Sequence, residues 1–311
     1  MPRRHRDHPP PALLIAGHGT RDEAGAEAFR DFVRELGRRH PELPVAGGFI
    51  ELSPPPLGEA VAELVERGVR RFAAVPLMLV SAGHAKGDIP AALSREKERH
   101  PGISYTYGRP LGPHPALLRV LERRLAQAVD PSWDPSEVTV LLVGRGSTDP
   151  DANAEVFKAA RLLWEGRGYG AVETAFVSLA KPDVPGGLDR CARLGARRVV
   201  VLPYFLFTGI LPDRVRHQTE EWAAAHPETE VRSADVIGPE PELLDLVWER
   251  YEEAVKGDLR MNCDSCVYRI ALPGFEDKVG LPQQPHFHPD DDGHHHHGHH
   301  HGHGHAHSHA H

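Results

Sequence analysis

The chain has 311 residues, 40% of them hydrophobic and 26% charged, which is enough for one large domain or two ordinary ones with a substantial core. Its formal net charge of -8 offers no basic face for nucleic acid, so an anionic ligand must be held by local cations. The first apolar run, residues 12–16, is too short for a signal-peptide core or a membrane span, and three cysteines cannot make a disulfide framework. The expectation is a cytoplasmic protein that engages neither nucleic acid nor membrane.

Residues 1–11, basic and rich in proline, read as a flexible N-terminus. β-Branched and apolar runs at 12–17, 45–51, 71–79 and 103–107 read as strands, and amphipathic patterns at 23–39, 57–67, 89–99 and 115–129 read as helices. Strands alternating with helices predict an α/β fold, a parallel sheet covered on both faces. A proline- and aspartate-punctuated linker follows at 130–135.

The series then starts again. Residues 141–149 mirror 14–22, 176–179 mirror 49–52 and 194–203 mirror 67–76, all at one offset of 127 residues. A constant offset over three segments marks a duplication. Two similar lobes are therefore expected to face each other across a cleft, an N-terminal one at 12–130 and a C-terminal one at 136–256. Residues 257–285 form a segment containing Cys263 and Cys266, and residues 286–311 form a histidine-rich tail expected to be disordered, in which 12 of the 18 residues from His294 to His311 are histidine.

Duplication provides an internal comparison, because packing positions should persist in both halves while chemical ones need survive in only one. Gly19 and Gly146, Gly68 and Gly195, and Pro76 and Pro203 persist. His18 becomes Arg145, Glu51 becomes Ser178 and His84 falls opposite Leu211. His18 follows the first strand between two glycines, Glu51 closes the second, and His84 follows the third, so three neighbouring strand ends present His, Glu and His to one crevice. That set suits a borderline divalent ion such as Co(II), Ni(II), Fe(II) or Zn(II), and the half that carries it is the N-terminal lobe.

With Gly17-His18-Gly19-Thr20, Glu51, the segment from Ser81 to Asp88, the degenerate second half, the Cys-x-x-Cys pair and the histidine-rich tail, the sequence resembles the class II chelatases acting on sirohydrochlorin, especially the long, internally duplicated cobaltochelatases. The resemblance spans the whole chain. It implies a lyase that inserts Co(II) into the tetrapyrrole for cobalamin synthesis, with Fe(II) for sirohaem or Ni(II) as alternatives. It makes His18 proton acceptor and first metal ligand, His84 second ligand and Glu51 a helper in delivery or deprotonation. It places the substrate beside Met78, Leu79, Val80, Ser81, Ala82 and Gly83. Because sirohydrochlorin is a polycarboxylate, cations at strand ends are required, and Arg21, Lys86, Arg145, Lys181 and Arg214 are candidates, with Lys86 and Arg145 foremost.

Cys263 and Cys266 resemble the iron–sulfur motif of the long cobaltochelatases. Two thiolates do not complete a four-cysteine cluster, which leaves partner-chain ligands and a homodimer through this segment, a labile cluster, or simple metal or redox binding. Cys191, within a helical pattern, reads as a buried small residue. The tail should chelate divalent ions unselectively and feed or buffer the site. Two rival functions share parts of this pattern. Histidine phosphatases need an arginine just before the histidine, where this chain has Gly17. A metal-storage protein would need only the tail.

Overall fold

The computed structural model describes residues 9–257 and 276–279. Eight strands and eight longer helices alternate through two repeats. The first repeat runs β1 (Ala12–Gly17), α1 (Glu23–Arg39), β2 (Val45–Phe49), α2 (Leu57–Glu66), β3 (Arg71–Pro76), α3 (Ile89–Arg99), β4 (Ser104–Tyr107) and α4 (Pro115–Ala128). The second runs β5 (Val138–Gly144), α5 (Pro150–Trp164), β6 (Ala171–Phe176), α6 (Val184–Arg193), β7 (Arg198–Pro203), α7 (Ile210–Ala225), β8 (Glu230–Ser233) and α8 (Pro241–Lys256). Each repeat forms its own four-stranded parallel sheet, in the orders β2-β1-β3-β4 and β6-β5-β7-β8.

Burial follows from the alternation of side chains along the strands. On β1, Leu13 and Ile15 enter the core shared by both repeats, whereas Leu14 and Ala16 face an outer cluster with α2 and α3. On β5, Val138, Val140 and Leu142 enter the shared core, and Leu141 and Val143 face α6 and α7. The two central strands are thus buried at every position, and apolar at all but Thr139, as expected of a strand covered on both faces. Each fully buried Leu, Ile or Val contributes roughly 1.5–3 kcal/mol of transfer free energy.

The linker separates the repeats in sequence but not in packing. Helix α4 of the first repeat lies on β7 of the second sheet, α8 of the second repeat lies on β3 and β4 of the first, and the two helices pack on each other. The lobes expected at 12–130 and 136–256 therefore exchange their last helices. The exchange is pinned by ion pairs, with Arg109 donating to both carboxylate oxygens of Glu253 at 2.9 and 2.7 Å, and Arg123 bridging Glu240 and Glu242. Arg250, only 1% exposed, donates to the carbonyls of Pro110 and Leu111 and to Glu253.

Helices α1 and α5 start at equivalent capping aspartates. Asp22 caps α1 by accepting from the Gly25 N–H at 2.8 Å, and its counterpart Asp149 caps α5 by accepting from the Asp151 N–H at 3.1 Å. Strands β2 and β3 stop sooner than their sequence patterns suggest, at Phe49 and Pro76, and Glu51 lies in the loop beyond β2. Pairing with β1 still runs on, since the Ile50 N–H reaches the Gly17 carbonyl and the Glu51 N–H the His18 carbonyl. Among the described residues no helix is long and apolar enough to cross a membrane.

Candidate metal site in the cleft

In the strand order β2-β1-β3-β4 the connection leaving β1 runs to β2 on one side and that leaving β3 runs to β4 on the other, which opens a crevice at the carboxyl ends of β1 and β3. His18 follows β1 and His84 stands eight residues after the end of β3. Glu51 is drawn alongside by the backbone hydrogen bond that ties its N–H to the His18 carbonyl at 3.1 Å. The close approach requires Gly19, whose φ of +105° is left-handed and whose missing Cβ would stand 1.7 Å from the Glu51 carbonyl oxygen. Gly146 repeats this in the second half, with φ +88° and 1.8 Å to the Ser178 carbonyl. The loop is thus a property of the duplicated unit, and only its side chains have diverged.

Among the described residues His18, Glu51 and His84 form one group whose ligand-capable atoms all lie within 4.8 Å of one another. Glu51 Oε1 stands 3.5 Å from His18 Nε2 and 3.9 Å from His84 Nε2, and the imidazole centroids are 4.3 Å apart at 81°. With metal–ligand bonds of about 2.1 Å, adjacent ligands sit roughly 3.0–3.4 Å apart. The Glu51–His18 contact is already close to that spacing and the Glu51–His84 contact slightly longer, so small side-chain rotations bring the group onto one ion. Glu51 Oε1 is buried and accepts no hydrogen bond among the described residues, a position that a cation would satisfy. Two imidazoles and one carboxylate fill three coordination positions and leave the others open.

His84 opens a π turn, His84–Asp88, directly before α3. Four residues apart on this turn, His84 and Asp88 lie on one face, with Nδ1 at 2.7 Å from Asp88 Oδ2. The contact is an ion-pair proximity and not an aligned hydrogen bond, and Nε2 is the ring nitrogen on the Glu51 side, 3.9 Å from Oε1. Asp88 closes the segment that drew attention in the sequence, but nothing in the spacing distinguishes a π turn from an ordinary helix start.

A cavity of about 340 Å³ opens beside this group, walled by both repeats. Met78, Leu79, Val80 and Ala82 line it as expected from the sequence, whereas Ser81 and Gly83 are not in its lining. Ser81 instead donates its N–H to Glu155 of α5 at 3.0 Å. The facing wall, which sequence reasoning missed, comes from residues 204–212, including Tyr204, Phe205, Leu206 and Phe207. The 127-residue offset already made 204–209 the counterpart of 77–82. Leu52 and Leu179, equivalent positions with left-handed φ of 65° and 59°, also line it.

The expected cations divide. Arg145 and Arg21 line the cavity. Burial lowers the Arg145 pKa from its ordinary value, with Glu51 opposing that shift. Lys86 departs from its expected place toward an anionic ligand. Its ammonium is enclosed at 2.7 Å from Asp149 and 2.9 Å from Asp151, where it ties the π turn to the start of α5. Burial alone would lower its pKa, and the two carboxylates more than reverse that, so the ammonium stays charged. Lys181 is exposed and paired with Asp183, and Arg214 lies inside α7, not in a strand-end loop. Cys191 is fully buried, with its thiol pKa pushed up to about 12 by burial, so it is an inert packing residue. Cys263, Cys266 and the histidine-rich tail lie outside the described residues.

The CbiX family profile matches residues 12–128 and again 139–254. The chain is 38% identical over 265 residues to the sirohydrochlorin cobaltochelatase of Priestia megaterium, covering 84% of this chain and 85% of that one. It is 35% identical to the sirohydrochlorin ferrochelatase of the same organism, covering 68% and 78% respectively. Among solved structures it resembles the sirohydrochlorin chelatase SirB from Bacillus subtilis subspecies spizizenii in complex with cobalt, with a TM-score of 0.65, 27% identity, and coverage of 80% of this chain and 96% of that one. The profile covers both repeats, and the cobaltochelatase match covers most of the chain: the chain belongs to the CbiX family.

Proposed function

We propose that this protein is a sirohydrochlorin chelatase, a lyase that inserts Co(II) into the macrocycle with release of two protons and so serves cobalamin synthesis. The carrying observation is the convergence of His18, Glu51 and His84 at the edge of a cleft whose two walls come from the two repeats. His18 and His84 bind the incoming metal, and Glu51 neutralises part of its charge. As the metal passes to the pyrrole nitrogens, the ligand atoms that it leaves become bases for the protons it displaces. His18 is the first acceptor and Glu51 assists, because imidazole accepts a proton near neutral pH and a carboxylate beside it stabilises the resulting cation. The Asp88 carboxylate, 2.7 Å from His84 Nδ1, stabilises positive charge on that ring and leaves Nε2 on the side of the ion.

The flat apolar faces of the macrocycle lie between the wall containing Met78 and the wall containing Phe205, and Arg145 receives a peripheral carboxylate. Iron is the second reading, favoured by the similarity to a ferrochelatase and by ligand types that serve both metals. The Cys263–Cys266 pair is read as an auxiliary metal or iron–sulfur motif and as a point of contact in a homodimer, on the strength of its spacing alone. The scarcity of cysteine supports a cytoplasmic setting. Anaerobic sirohydrochlorin offered Co(II), Fe(II) and Ni(II) in competition tests the assignment. Preferential formation of cobalt-sirohydrochlorin is expected, and absence of metallation with all three would end the proposal.

A further inference from the structure

The residue that replaces His18 in the second repeat is turned onto His18 itself. Arg145 Nη1 lies 2.9 Å from His18 Nε2, while His18 Nδ1 faces the Gly19 carbonyl at 3.1 Å. A carbonyl only accepts, so the Nδ1 position carries the proton, and Nε2 is left as the acceptor for the guanidinium N–H. The same Nε2 is the atom 3.5 Å from Glu51 Oε1. One lone pair cannot serve both an arginine N–H and a metal ion. In this arrangement the guanidinium supplies both things a metal would supply, a partner for the imidazole lone pair and a positive charge beside Glu51.

Arg145 also lines the cavity, where an anionic ligand offers a planar guanidinium a better partner than a neutral imidazole. Resting on the chelatase reading, we infer that Arg145 is a displaceable stand-in cation: it blocks His18 from metal until a carboxylate of the tetrapyrrole draws it away. Tetrapyrrole binding then raises the affinity for metal, and by linkage bound metal, having released Arg145 from His18, raises the affinity for tetrapyrrole. Duplication supplied the device, because divergence of one copy of the loop placed a cation where the other copy keeps its ligand.

The test is initial-rate kinetics on full-length protein over a matrix of Co(II) and sirohydrochlorin concentrations, for the parent chain, Arg145→Gln, Arg145→Lys and His84→Ala. In the parent, the apparent KM for Co(II) should fall as sirohydrochlorin rises. In Arg145→Gln, the KM for Co(II) at low sirohydrochlorin should drop by about tenfold, the KM for sirohydrochlorin should rise, and their mutual dependence should disappear. Arg145→Lys keeps the charge but not the planar fork, and should retain part of the coupling; it also provides a reading if the glutamine variant fails to fold. A merely structural arginine would not move the two KM values in opposite directions. Unchanged Co(II) KM and unchanged coupling in both arginine variants would overturn the inference while leaving the chelatase reading intact. Undiminished turnover in His84→Ala would instead remove the site on which both depend.

Discussion

His18 and His84 are the side chains whose removal should separate chemistry from folding most cleanly. Each is held by a loop or a helix start at strand ends, not by the apolar clusters, so His18→Ala and His84→Ala should each lower turnover by about 10²-fold or more. The change in unfolding free energy should stay near about 1 kcal/mol, a shift of a few degrees in Tm. Glu51→Gln keeps one oxygen ligand and loses the charge, so it should slow metallation without preventing it. Metallation followed by absorbance, with thermal unfolding on the same samples, checks all three; full turnover in both histidine variants would be incompatible with the site. These residues were legible because duplication exposed which positions had changed in only one copy. Asp88 was not legible, since a carboxylate four residues after a histidine is common on any helix and does not by itself mark a contact.

Strand and helix boundaries show where local pattern ends and tertiary contact takes over. β1 and α1 fall on the residues that the pattern indicates, since a continuous apolar run, a capping Asp22 and a basic last turn agree. β3 stops at Pro76 although the apolar run continues to Val80, because those later side chains line the cavity and do not extend the sheet. Periodicity does not distinguish a buried strand residue from one facing a ligand cavity. The loops after β1 and β5 depend on a backbone conformation that the repeated glycines did announce. Gly146→Ala puts a Cβ at φ +88°, 1.8 Å from the Ser178 carbonyl. Left-handed strain and overpacking together should cost about 2–4 kcal/mol, read as a lower urea midpoint. An unchanged midpoint would mean that the loop is freer than its geometry implies.

The exchange of α4 and α8 between sheets was invisible in sequence, because an amphipathic helix shows the same stripe whichever sheet it covers. Its consequence is that the two repeats share one core and should unfold together. The Arg109–Glu253–Arg250 cluster should give this junction an acid limit. Hydrogen bonding from Arg109, then the nearby charges of Arg250 and Arg109, hold the Glu253 pKa below its ordinary 4.5, against an opposing effect of burial. A lowered carboxylate pKa gives stability that is present above about 4.5 and lost as pH falls through the folded-state value. Glu253→Gln should therefore reduce the fall in urea midpoint between pH ~6 and pH ~3; an identical acid slope in variant and parent would assign the acid sensitivity elsewhere.

The histidine-rich tail belongs to the whole molecule because any effect it has on the cleft acts through tethering. Twelve imidazoles within the last 18 residues can raise the local concentration of metal around the site without touching it. Truncation after Pro289 should then raise the apparent KM for Co(II) and leave kcat unchanged, since a local reservoir has no advantage once free metal saturates the cleft. The benefit should also fade below about pH 6, where protonated imidazoles lose their lone pairs and repel one another. Kinetics over a buffered Co(II) series at two pH values, for full-length and truncated chains, distinguish supply from storage. Identical curves at scarce metal and neutral pH would mean that the tail does not feed the site, and binding capacity per chain would then be its measurable function.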